Sequence, residues 1–267
     1  MIELLLSDVD GTLVRKDKTL SERTIEAVHA LHDAGIHFAV TSGRPPRGMA
    51  MLVEPLALRA PLAGFNGGLV VEPGMEVIEE HTIADDLVEP TIRLLEGSDL
   101  SVWVYREADW YVRDPNGPHV ERESHTVQFE PTVVEGFDVV GPGVAKIVGV
   151  SDDYDAVAAA QLAADDRLGE DVSASRSQPY YLDVTHPQAN KGAVVTFLSE
   201  RYEIPTDDIA TIGDMANDVL MFAHSGVSIA MGNAHREVQR AARHVTATND
   251  EDGFANAVER YILRERS

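Results

Sequence analysis

Leu4-Leu5-Leu6-Ser7-Asp8-Val9-Asp10-Gly11-Thr12-Leu13 decides the fold, because an apolar strand runs there straight into two carboxylates and a glycine turn. A short leucine-rich run bounded by Asp and Gly reads as a strand buried on both faces, the pattern of a parallel sheet. Asp8 then stands at the carboxyl end of that strand, where open parallel α/β sheets bind ligands. Asp8 and Asp10 are two apart, so on an extended backbone their side chains lean the same way and repel unless a cation or a shared proton intervenes. A hard divalent ion such as Mg2+ is the natural partner, since it takes carboxylate and phosphate oxygens. Gly11 permits a positive φ or a close backbone approach that leaves N–H groups pointing at an anion. A plain Asx/Gly turn closing the strand would use the same residues without chemistry.

Two further strand ends carry similar groups. A strand over 36–40 runs into Thr41-Ser42-Gly43-Arg44-Pro45. A hydroxyl, backbone N–H groups and the Arg44 charge suit phosphate oxygens, although Ser or Thr followed by Pro also starts helices, here one expected over 49–58. An apolar strand over 209–212 runs into Gly213-Asp214-Met215-Ala216-Asn217-Asp218. Asp214 and Asp218 stand four apart at a helix start and can face one ligand. Lys191, within Asn190-Lys191-Gly192, is expected at the amino end of a helix over 193–202. The helix dipole disfavours a cation there, so a bound anion is the simplest reason for it. Asn66-Gly67-Gly68 interrupts a strand over 62–71 and reads first as a hairpin turn.

Strand and helix alternate at both ends of the chain, with Ser21 as the expected cap of a helix that runs to Gly35. Between 82 and 185 the character changes. A helical pattern (87–95) precedes strand-like runs at 101–105, 110–112 and around Val127 and Phe129. A strand over 144–150, an alanine-rich helix over 154–168 and a strand over 180–184 follow. This predicts an α+β unit inserted into a parallel sheet. Both tryptophans fall there, and such an aromatic cluster reads as core before substrate contact.

Forty-five acidic residues against 22 basic give a net charge of -23, which argues against a nucleic-acid or anionic-membrane partner. Only four lysines occur, a balance that resembles proteins of salt-loving microbes, so a phosphate site must gather positive charge locally. The absence of cysteine excludes disulfides, zinc-thiolate sites and thiol nucleophiles. No leader pattern and no apolar run near the ~20 residues that span a bilayer is present, so a cytoplasmic protein is expected. The histidines are scattered, and the glycine patterns of nucleotide-binding loops are absent.

In order, Asp8-Val9-Asp10-Gly11-Thr12, Ser42-Gly43-Arg44-Pro45, Asn190-Lys191-Gly192 and Gly213-Asp214-x-x-Asn217-Asp218 resemble the four motifs of the haloacid dehalogenase-like phosphatases. The chain looks like the Cof or sugar-phosphate phosphatase branch, which has a large cap of the C2 type between the second and third motifs. It also resembles archaeal phosphoglycolate phosphatases. The resemblance implies an α/β protein with a Rossmann-like parallel sheet core (1–81 and 186–267) and an inserted α+β cap (82–185). It implies Asp8 as a nucleophile that forms an aspartyl-phosphate, and Asp10 as general acid and then base. Mg2+ would be held by Asp8, the Asp10 backbone carbonyl and Asp214, with Asp218 as a ligand or just behind. Ser42, Gly43, Arg44, Lys191 and Asn217 would bind phosphate or substrate. Ser42 is chosen over Thr41 because it directly precedes Gly43-Arg44. The implied activity is hydrolysis of a small phosphorylated metabolite, phosphoglycolate or a sugar phosphate. Two alternatives use the same residues: a phosphohexomutase, which needs a bisphosphate activator, and a phospho-ligand-binding module, which needs no general acid.

Overall fold

The computed structural model describes residues 1–264. The first segment contains β1 (Leu4–Asp8), α1 (Glu22–Asp33), β2 (His37–Thr41), β3 (Leu62–Gly64), β4 (Leu69–Val71) and β5 (Val77–Glu80). The middle segment contains α2 (Asp85–Glu96), β6 (Ser101–Arg106), β7 (Asp109–Val112), α3 (Val120–Val127), β8 (Thr132–Val133), β9 (Val144–Val150), α4 (Tyr154–Leu168), β10 (Ser173–Gln178) and β11 (Tyr181–Thr185). The last segment contains α5 (Lys191–Tyr202), β12 (Ile209–Gly213), α6 (Val219–Ala223), β13 (Val227–Ala230), α7 (Arg236–Ala241), β14 (His244–Val245) and α8 (Gly253–Ala257).

The first and last segments share an eight-stranded sheet of order β14-β13-β12-β1-β2-β3-β4-β5. Its strands are parallel from β14 through β3. All five residues of β1 are buried at its centre, which is why the sequence there shows no polar alternation. Ser21 caps α1 by accepting the Thr24 N–H at 3.1 Å, as its position predicts. The expected parallel sheet is extended by an antiparallel edge, β3-β4-β5. Asn66 (φ 59°) and Gly67 (φ 104°) reverse the chain there, so the 62–71 stretch is a hairpin. The helix expected over 49–58 is instead a tight 3-10 helix, Pro46–Leu52. Pro55 lacks a backbone donor and Ala57 takes a left-handed φ of 47°, and both oppose continuing it.

The middle segment forms a second, six-stranded sheet of order β10-β11-β9-β6-β7-β8, with α2 and α4 on one face. Period-two alternation divides its side chains. Val102, Val104, Ile147, Leu182 and Val184 pack against those helices. Trp103, Tyr105 and Val148 face the other way and join a cluster that includes Met49, Leu52 and Phe65 of the first sheet's segment. Phe65 and Tyr105 meet with ring centroids 5.4 Å apart. The tryptophans are therefore core, as their composition indicates. Val127, expected in a strand, closes α3, whose buried Val120, Ser124 and Val127 recur at helical spacing. The edge strand β10 was not expected, because Ser173–Gln178 has Ala174 as its one apolar residue, and among the described strands it pairs with β11 alone. No helix among the described residues is long and apolar enough to cross a membrane.

Candidate active site

The carboxyl ends of β1, β2 and β12 lie side by side, and the inner face of the second sheet stands over them. Between them is a cavity of about 480 Å3, lined by Asp8, Asp10, Ser42, Gly43, Arg44, Lys191, Asp214 and Asn217. Of the residues expected to act as catalyst, metal ligand or phosphate binder, Asp218 alone lies behind the cavity wall, fully buried.

Lys191 is the first residue of α5, capped by Asn190, whose side chain accepts the Ala193 N–H at 3.0 Å. Its Nζ donates to Asp8 Oδ1 at 2.5 Å and to Asp218 Oδ1 at 2.6 Å. Those carboxylates explain a lysine at a helix start. Burial would lower the lysine's pKa, but Asp218 and Asp8 outweigh it and raise it. Asp218 Oδ2 also accepts the N–H groups of Asp214 and Met215, each at 2.8 Å, so both its oxygens are engaged. It holds the loop and the lysine in place.

Asp8, Asp214 and Asp218 each offer an oxygen within 4.8 Å of the others. Burial pushes the Asp8 carboxyl well above the usual range, Asp218 and Asp214 push the same way, and Lys191 opposes them. Burial and then the Asp218 charge raise Asp214 to about 7. Asp8 Oδ2 accepts no hydrogen bond from the described residues. Three buried acids that one lysine does not neutralise, with an oxygen left over, fit a hard divalent cation. Gly11 is required beside them: its φ is +82°, and a Cβ there would come within 2.3 Å of Asp214 Oδ2.

The Asp10 carboxylate is outside this group. Arg44 Nε and Nη2 donate to its two oxygens at 2.6 and 2.7 Å, and Lys18 Nζ donates at 2.6 Å. Burial alone would raise Asp10, but these cations hold it down to about 2. Arg44 also donates through Nη1 to the carbonyls of Gly48 (3.1 Å) and Thr126 (2.9 Å), the latter on α3. It ties Asp10 to the second sheet's segment.

Ser42 lines the cavity and accepts the Arg44 N–H at 3.2 Å, whereas the fully buried Thr41 hydroxyl lies outside the lining and has no partner. Asn217 donates to Asn66 Oδ1 at 3.1 Å, so the hairpin turn braces the β12 loop.

Several contributors escaped the sequence reading. Asn233, three residues past the end of β13, donates to the Gly11 carbonyl at 2.8 Å and to Asp214 Oδ2 at 3.1 Å. Thr12 donates to Asp214 Oδ1 at 3.3 Å. Lysine scarcity was the signal available for Lys18 and Lys146. All four lysines, Lys16, Lys18, Lys146 and Lys191, line this one cavity.

Comparison with known proteins agrees with this geometry. The model of the haloacid dehalogenase-like hydrolase family matches residues 5–258. A Haemophilus influenzae protein named "Putative phosphatase" is 32% identical over 263 residues, covering 97% of this chain and 98% of that one. A 5-amino-6-(5-phospho-D-ribitylamino)uracil phosphatase of Bacillus subtilis is 27% identical over 263 residues, covering 97% of each chain. The crystal structure of a haloacid dehalogenase-like hydrolase from Bacteroides thetaiotaomicron is similar at a TM-score of 0.89 and 28% identity, covering 97% of this chain and 99% of that one. The chain belongs to the haloacid dehalogenase-like hydrolases and is one of their phosphatases.

Proposed function

We propose that the protein is a Mg2+-dependent phosphomonoesterase that hydrolyses a small phosphorylated metabolite through an aspartyl-phosphate. Residues 1–81 and 186–267 would form its catalytic core and 82–185 its cap. The observation that carries this reading is Asp8, a buried carboxylate held through one oxygen by Lys191 and, among the described residues, without a donor on the other.

A phosphate ester enters between the Ser42–Arg44 loop and Lys191, which supply hydroxyl, backbone N–H and ammonium donors to its oxygens. Asp8 attacks phosphorus, the ester P–O bond breaks, and the leaving oxygen takes a proton from Asp10. Water then attacks phosphorus, Asp10 accepts its proton, and phosphate leaves as the Asp8 carboxylate is restored. Mg2+ held by Asp8 and Asp214, with the Asp10 carbonyl as a further ligand, would offset the repulsion between carboxylate and phosphate. In the observed conformation Asp10 is an anion paired with Arg44 and Lys18, which suits the second step. The first step needs Asp10 protonated, so the Arg44 pair must loosen as the ester binds.

The Bacillus subtilis relative is named for a phosphorylated ribityl compound. A cavity of about 480 Å3 also has room for more than the two carbons of phosphoglycolate, so a polyol or sugar phosphate is the favoured substrate. The test is phosphate release from a panel of such esters with and without Mg2+. Metal-dependent release without a bisphosphate activator supports hydrolysis over a mutase; no release from any ester, p-nitrophenyl phosphate included, overturns the reading.

A further inference from the structure

Above the catalytic carboxylates the cavity wall is made by β9 and β11. Antiparallel register pairs Thr185 with Lys146 and Asp183 with Val148, so Tyr181, Asp183 and Lys146 share the inward face. Asp183 is 2% exposed and lines the cavity. Its Oδ2 lies 2.9 Å from Lys146 Nζ as an ion pair, yet among the described residues no donor makes an aligned hydrogen bond to either of its oxygens. The Tyr181 hydroxyl on the same wall is likewise buried without a hydrogen-bond partner among the described residues. Lys146 also donates to the Gly43 carbonyl at 3.3 Å, which sets the pair beside the Ser42–Arg44 loop.

A buried carboxylate with unfilled acceptor positions costs free energy until a donor reaches it. Lys146 neutralises its charge without filling those positions. The pair therefore offers acceptors rather than a free cation, and half-buried Glu123, which accepts the Tyr105 hydroxyl at 3.3 Å, adds another acid to this wall. A neutral donor is welcomed at the Asp183 oxygens and a carboxylate set against them is repelled, while Arg122 of α3, 5.0 Å from the Tyr180 ring centroid, is a further cation bordering the cavity.

We propose that Asp183, held by Lys146, is the specificity-determining acceptor for the leaving group. It selects esters whose alcohol carries a hydroxyl or N–H donor at its far end, and it excludes esters with a carboxylate there. This rests on the phosphatase reading above and narrows its substrate class to polyol-like or donor-bearing ring esters, against phosphoglycolate.

The experiment measures kcat/KM for ribitol 5-phosphate, pentyl phosphate and 5-phosphoribonate. These are equal in chain length and differ in carrying hydroxyls, no polar group, or hydroxyls with a terminal carboxylate. p-Nitrophenyl phosphate with Mg2+ serves as the general assay of phosphatase activity. The wild type is expected to favour the polyol ester over both others by about 10- to 100-fold, the range for one hydrogen bond to a charged group. Asp183→Ala is expected to collapse the polyol-to-pentyl ratio toward unity, and Asp183→Asn to relieve rejection of the carboxylate ester. Ratios are used because they cancel a general loss of activity. Should the alanine variant fail to fold, the asparagine variant and the wild-type ratios carry the test. An unchanged ratio in a folded variant, or a wild-type preference for the carboxylate ester, overturns the proposal while p-nitrophenyl phosphate turnover leaves the phosphatase reading standing. Failure to hydrolyse p-nitrophenyl phosphate overturns both.

Discussion

At the scale of single residues, Asp10 and Asp8 are opposite electrostatic cases a few atoms apart. Asp10 is folded with its pKa at about 2, below the unfolded carboxylate value of about 3.9, so it contributes stability above that value which is lost as pH falls through about 2. Asp10→Asn should lower the melting temperature at pH 7, with the gap from wild type closing toward pH 2; a gap that does not change with pH would assign the loss to something other than charge. The same substitution should cut kcat by about 10²–10⁴-fold, the usual range for a general acid–base group. Asp8 is crowded by burial and by Asp218 and Asp214, so its charge is costly without a cation. Asp8→Asn should abolish phosphate release while the metal-free melting temperature stays at or above that of the wild type. Mg2+ should stabilise the wild type at neutral pH, by about 2.7 kcal/mol at a hundredfold excess over its Kd. That gain should shrink as pH drops below about 7, where Asp214 takes up a proton that competes with the metal. Calorimetric melting with and without Mg2+ at about pH 5 and about pH 8, on the two sides of that titration, reads this directly.

At the scale of elements, the ends of β1, β2 and β12 were legible because their chemistry is local: each strand's apolar run and the polar residues that follow it are contiguous in sequence. The helix α4 was legible for the same reason, with Asp153 capping it by accepting the N–H groups of Asp155 and Ala156. Two elements escaped for local reasons: β10 shows no apolar alternation and is a strand through its hairpin pairing with β11, and α3 is short with glutamates in its first turn. The rest of what escaped depends on partners distant in sequence. Asp183 meets Lys146 through the register of β11 on β9, which no local pattern announces. Asn233 follows β13 with no local motif around it, and its hold on Gly11 and Asp214 appears only when β13 lies beside β12, itself paired with β1. Asn233→Ala should therefore weaken Mg2+ activation by about 10- to 100-fold, the usual effect of losing a group that orients a metal ligand. A Mg2+ titration of activity that overlays the wild type would show that Gly11 and Asp214 hold their positions without it.

At the scale of the whole molecule, a net charge of -23 surrounds a cavity lined by all four lysines. Cations gathered in a cleft focus the field on an incoming phosphate, whereas the rest of the surface repels both the substrate and itself. Salt should act oppositely on the two. From about 0.05 to about 1 M KCl, where the screening length shrinks from beyond 10 Å to about 3 Å, the melting temperature should rise and kcat/KM for a dianionic ester should fall. A flat melting temperature would remove the salt-adapted reading of the composition. The chain passes between its two sheets twice, after β5 and after β11, and His81 and His186 from these passages stack with ring centroids 5.5 Å apart. A body joined by one tether turns about any axis, but a body joined by two adjacent tethers swings about the line through both. A swing about that line would carry Lys146 away from Gly43 and Thr126 away from Arg44 together, so that admitting a substrate and slackening the grip on Asp10 would be one mechanical stroke.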